Sequence, residues 1–139
     1  MKKNYQLISH TADIGIRVKG KDLKSLFVNA AKAMFDIIAQ RKSASRLKST
    51  IVRLAQNADS IDELFINWLN ELLSLSDARR LIFSDFIIKK ITPSSIRADV
   101  TGNPMRQYQL KSEIKAATYH QLNLRKTGSS WIAEVVFDV

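Results

Sequence analysis

The 139-residue sequence contains no cysteine, which removes disulfides, thiolate metal ligands and thiol nucleophiles from consideration. Its histidines are two, His10 and His120, so a zinc site, which draws largely on Cys and His, fits poorly. Glycine is scarce, four in all, and neither a P-loop nor a dinucleotide fingerprint occurs. No serine sits in the context of a nucleophile elbow. No apolar run approaches membrane-spanning length, and the opening Met1-Lys2-Lys3-Asn4-Tyr5-Gln6 lacks the apolar stretch of a signal peptide. These absences predict a soluble, cytoplasmic protein with no membrane partner and no catalytic constellation. The length suits one domain spanning residues 1–139, since a second core would leave each too little buried surface.

What the chain does have is positive charge. Lysine and arginine number 22 against 13 acidic residues, a formal net charge of +9 with an isoelectric point near 10.0. Such a balance suits a partner rich in phosphate or carboxylate, although charge speaks to association rather than to fold. The basic residues are dispersed, from Lys19, Lys21 and Lys24 through Arg79-Arg80 and Lys89-Lys90 to Arg125-Lys126. An evenly solvated surface and a nucleic-acid face are both compatible with that spread.

Hydrophobic periodicity then sets out the elements. Ile14, Ile16 and Val18 alternate with Gly15, Arg17 and Lys19, the period of a half-buried strand. Leu23, Leu26, Phe27, Ala30, Ala31, Met34, Phe35 and Ile38 recur at helical spacing behind Asp22, a good N-cap. A second helix starts at Ser60, with Glu63 three residues on as a capping box, and carries Leu64, Phe65, Trp68, Leu69 and Leu72 on its apolar face. Residues 41–48 read as a basic loop and Thr50 to Leu54 as a strand. The remainder is strand after strand: Ile82 to Ile91, Ile96 to Thr101, Glu113 to Tyr119, His120 to Arg125 and Trp131 to Val139. The expected class is α+β, a two-layer sandwich of two amphipathic helices on a mixed, largely antiparallel β-sheet.

Five blocks, in order, resemble the archease family. They are His10-Thr11-Ala12-Asp13-Ile14-Gly15, Trp68-Leu69-Asn70-Glu71-Leu72-Leu73, Leu81-Ile82-Phe83-Ser84-Asp85-Phe86, Lys115-Ala116-Ala117-Thr118-Tyr119-His120 and Val135-Val136-Phe137-Asp138-Val139. The resemblance implies a protein that is not an enzyme but activates an RtcB-type RNA ligase. It would promote guanylylation and multiple turnover of the ligase in tRNA splicing or RNA repair, meeting tRNA or other RNA through the ligase complex. It also implies a divalent metal, calcium in the family, with Asp13, Asp138 and the C-terminal Val139 as ligands. The chain departs from the family in its basic charge, in residues 74–80 and in the basic segment 41–50. Gln121 also stands where a glycine commonly follows the tyrosine–histidine pair.

On the residues alone, Asp13 is as readily a turn former and Asp138 a solvated strand end. Adjacent carboxylates repel, a divalent cation relieves the repulsion, and an all-oxygen donor set selects calcium, magnesium or manganese. His10 is open between a ligand or base, a turn-bonding residue and a partner contact. His120 and Lys115 read as a packed histidine and a solvated lysine, or as partner contacts. Two rival functions remain: an RNA-binding module acting without a ligase, and a metal-dependent hydrolase built on the carboxylates.

Overall fold

A computed structural model describes residues 5–8, 13–42 and 48–139. The chain runs β1 (Tyr5–Ile8), β2 (Ile14–Gly20), α1 (Leu23–Ile38), β3 (Ala39–Arg41), β4 (Thr50–Asn57), α2 (Ile61–Arg79), β5 (Leu81–Thr92) and β6 (Ser95–Pro104). A 3₁₀ turn (Met105–Gln107), β7 (Tyr108–Leu110), β8 (Ala116–Thr127) and β9 (Ser130–Asp138) complete it.

Both helices begin where their caps dictate. The Asp22 side chain accepts from Ser25 N at 2.7 Å, and Ser60 Oγ accepts from Glu63 N at 3.1 Å, each satisfying an otherwise orphaned donor of the first turn. Asp62 and Glu63 sit in the first turn of α2 and Arg79 in its last, the signs that suit the helix dipole. Arg80 ends α2 in the left-handed region, φ 56°, the conformation that commonly stops a helix.

The strands form three antiparallel groups. A four-stranded sheet has the order β1-β2-β9-β8, a three-stranded sheet the order β4-β6-β5, and β3 pairs with β7 as a separate ribbon. The α+β class and the layer of two helices on antiparallel sheet are as expected, with every pairing among the described strands antiparallel. Helix α1 rests on β2 of the larger sheet and on β5 of the smaller, while α2 rests chiefly on β8 and reaches β5 and β4. The helices therefore cover both sheets at once, and one contiguous buried cluster draws on all of these elements.

Aromatic rings fill the junction. Trp68, Phe27, Phe65, Phe83 and Phe137 are among the largest fully buried side chains, and Phe27 meets Phe65 edge-on at 5.2 Å between centroids. Trp68 is core, as its place on the apolar stripe predicts. Its indole N–H is also satisfied, donating to Phe27 O at 2.9 Å and tying α2 to α1. Gly20 lets β2 turn into α1: a Cβ there would lie 2.7 Å from Leu26 Cα.

The two strands expected at 113–119 and 120–125 are one strand, β8, interrupted by a bulge. Its register with β9 shifts between Thr118 and Asn123, and within that interval Gln121 has φ 54°. Alternation breaks at a bulge, so sequence periodicity divides the strand there. A β-carbon in the left-handed region is strained by roughly 1–2 kcal/mol, which accounts for the glycine that family members commonly carry. Replacing Gln121 by Gly should raise stability by about 0.5–1 kcal/mol, the strain relieved less glycine's greater chain entropy. The Tm should rise by about 2–3 °C in a thermal melt; a lowered Tm would show that Gln121 makes a contact worth more than its strain.

On the outer face of the larger sheet Glu134 is clasped by two arginines. Arg17 donates to it through Nε at 3.0 Å and Nη2 at 2.7 Å, and Arg125 through Nη1 at 3.1 Å. The Arg17 hydrogen bond, aided by Arg125, holds the Glu134 carboxyl below its ordinary value against a partial burial that would raise it. A lowered folded-state pKa contributes stability above the unfolded value and loses it as pH falls through the folded one. Urea midpoints of the native protein and Glu134→Gln should therefore differ at neutral pH and converge on acidification below the ordinary glutamate range. Profiles that stay parallel would place the ion pairs outside the stability of the fold.

Candidate metal centre

Strand β9 is the inner strand around which the site is built. Its antiparallel register with β2 runs from Gly20↔Trp131 to Ile14↔Phe137. The paired register ends there; Asp13 is the residue before β2 and Asp138 the last of β9, so both stand at the same end of the larger sheet. Phe137 is fully buried and points into the core, which turns Asp138 outward, where it is exposed. Asp13 is half-buried at the start of β2.

On its other edge β9 pairs with β8, Ala116 opposite Asp138 and Ala117 opposite Phe137. Lys115 N donates to Asp138 O at 2.7 Å, which holds the main chain leading into Val139. Val139 follows the strand, 39% exposed. The structure thus brings Asp13, Asp138, Val139 and Lys115 to one end of the larger sheet.

The start of β8 is in turn fixed by α2. The Asn70 side chain spans Ala117, its Oδ1 accepting from Ala117 N at 2.7 Å and its Nδ2 donating to Ala117 O at 3.1 Å. Both polar groups of an edge-strand residue are satisfied by one amide, and losing it would leave them unpaired at a cost of about 1–3 kcal/mol. Asn70 was not singled out from sequence. The available signal was a carboxamide inside an otherwise apolar helical stretch, where asparagine is a poor helix former and needs a reason to be present.

The remaining candidates separate. His120 is exposed within the β8 bulge, four residues along the strand from Ala116, on the order of 10 Å from the carboxylate end. His10 lies outside the described residues.

Among the described residues no three His, Cys, Asp or Glu side chains gather as a ready metal cage. The candidate donors here are two aspartate side chains with the main-chain end beyond them, and their chemistry fits a hard divalent cation. All are oxygens, the donors that calcium, magnesium and manganese prefer.

Comparison with known proteins identifies the family. Residues 5–139 match the profile of the Archease protein family. A protein archease from Methanosarcina barkeri is 35% identical over 143 residues, covering 99% of this chain and 97% of its own. The solution structure of Methanobacterium thermoautotrophicum protein 1598 superposes with a TM-score of 0.77 at 25% identity, covering 99% of this chain and 100% of that one. The crystal structure of a Thermotoga maritima protein described as an archease, possible chaperone, shares the fold, with a TM-score of 0.66 at 20% identity over 95% of this chain and 94% of that one. Matched along nearly its whole length in profile, sequence and structure, the chain belongs to the Archease protein family.

Proposed function

We propose that this protein is a non-enzymatic activator of an RtcB-type RNA ligase, acting through a divalent-metal centre at the end of β9. The observation that supports the reading is that Asp13, next before β2, and Asp138, the last residue of β9, stand at the same end of that strand pair, beside Val139. Asp13, Asp138 and the main-chain carboxylate of Val139 would hold the ion, with calcium favoured and magnesium or manganese accommodated by the same donors. Bound there, a divalent ion supplies concentrated positive charge at a protruding sheet end, suited to orienting phosphate or carboxylate groups of a partner's active site.

The chain's own residues supply positioning. Asn70 fixes the start of β8, and Lys115 N fixes the main chain of Asp138. Asp13 is carried on β2, whose backbone is paired on both sides, with β1 and β9. A site presented on a rigid strand end can dock transiently on a large enzyme without rearranging, which keeps the ordering cost of association low. The ligase would supply the reactive histidine, the nucleotide and the RNA ends, so no nucleophile or general base is needed in this chain.

The test is a multiple-turnover RNA ligation assay with the cognate ligase. The unmodified protein should raise turnover and the yield of guanylylated ligase. Asp138→Ala, or a short C-terminal extension beyond Val139, should remove most of that stimulation while the thermal melt stays near that of the parent. Stimulation that survives both changes would sink the mechanism. Hydrolysis of RNA or phosphate esters by this chain alone with calcium, magnesium or manganese would instead support the hydrolase reading.

A further inference from the structure

Beside the carboxylate end runs a groove that the ligase-activator reading leaves unused. It lies between the C-terminal half of α2 and the connection from the 3₁₀ turn to β8, with a volume of about 650 Å³. A second depression of about 440 Å³ continues it past Arg80 and Met105. Both fall within the roughly 300–1,000 Å³ of sites that take a small ligand.

The floor is apolar, from Ile38, Leu73, Met105, Leu110 and Ile114. Leu110 is 56% exposed, unusual for so large an aliphatic side chain on a three-residue strand. The rim is basic: Arg80 and Lys111 on the long stretch, Arg106 at the far end, and Lys115 at the end next to Asp138. All four are exposed. None forms an ion pair among the described residues, whereas Arg17, Arg53, Lys89 and Arg125 do. Asp77 and Glu113 are the acidic residues on the lining, so the cations outnumber them two to one.

We propose that this groove binds single-stranded RNA, its phosphates along the Arg106–Arg80–Lys111–Lys115 line and its sugars and bases over the apolar floor. Three observations favour it. Unpaired cations spaced along a groove match a linear polyanion better than a point charge. The volume suits a short stretch of single strand and gives no room for a duplex. The groove also ends at Lys115 and Ala116, which flank Asp138 in the sheet. A strand lying in it would therefore run towards the proposed metal centre. That last point rests on the ligase-activator reading; the binding itself does not.

Fluorescence anisotropy with a labelled ten-nucleotide oligouridine, in EDTA and without ligase, isolates the binding from any metal or ligase effect. Four phosphate contacts on a single strand predict that log K falls with log salt at a slope of about −2.8, a loss of roughly 50-fold between 50 and 200 mM. Arg106→Gln with Lys111→Gln removes two contacts and should bring the slope to about −1.4. Arg53→Gln with Arg97→Gln, on the outer face of the smaller sheet, should leave it unchanged. The substituted side chains are exposed, so thermal melts should match the parent. No binding at 50 mM salt would overturn the proposal, and so would an equal loss in the sheet-face pair, which marks diffuse attraction. Loss of ligase stimulation by the groove pair with RNA binding intact would also overturn it, by assigning the groove to an acidic segment of the ligase.

Discussion

Antiparallel pairing on both edges of β9 is the constraint from which the rest of the structure follows. With β2 on one side and β8 on the other, β9 carries Val135 and Phe137 into the core and Glu134 to the outer face. The alternation is obligatory in a strand, so burying Phe137 decides that Asp138 faces out. A shift of the β2 register by one residue would turn Ile16 and Val18 out of the core. Packing therefore holds the register that leaves Asp13 and Asp138 at one end of the sheet. α2 contributes from behind, with Trp68 tied to α1 and Asn70 tied to β8 two residues later on the same helix.

Much of this was legible in the sequence because it rests on local rules. Both helices start at the caps that Asp22 and Ser60 announce, and α1 spans the residues its apolar stripe marks. The features that escaped are those in which distant segments decide. β3 and β7 are three residues each, too short for periodicity, and exist only because each completes the other's hydrogen bonds. The β8 bulge hides the continuity of a strand whose two halves differ in phase. Asn70 stands out locally only as a carboxamide within a helix; its role depends on a backbone 47 residues away. Asp13 and Asp138 were named through family resemblance; that they stand at one end of the sheet follows from the β2–β9 pairing, which no spacing in the chain reveals.

The charge reads differently once placed on the fold. Arg17 and Arg125 are absorbed in holding Glu134, and Arg53 and Lys89 both approach Asp99 at 3.9–4.0 Å, a long and exposed arrangement that contributes little to stability. The surplus that remains unpaired is concentrated in part along the groove beside α2. Four of the unpaired cations, Arg80, Arg106, Lys111 and Lys115, line that groove, next to the acidic strand end that would hold a cation. Opposite signs at neighbouring places, one able to take a metal and the other a polyanion, are what an accessory to RNA-end chemistry requires.

The proposed metal centre requires Asp13 and Asp138 to act together on one divalent ion. Isothermal titration of calcium into the metal-free protein tests this directly. One ion per chain should bind the parent, and Asp13→Asn and Asp138→Asn should each abolish that binding while circular dichroism shows the fold retained. Absence of calcium, magnesium and manganese binding to the parent, or binding that neither substitution weakens, would contradict it.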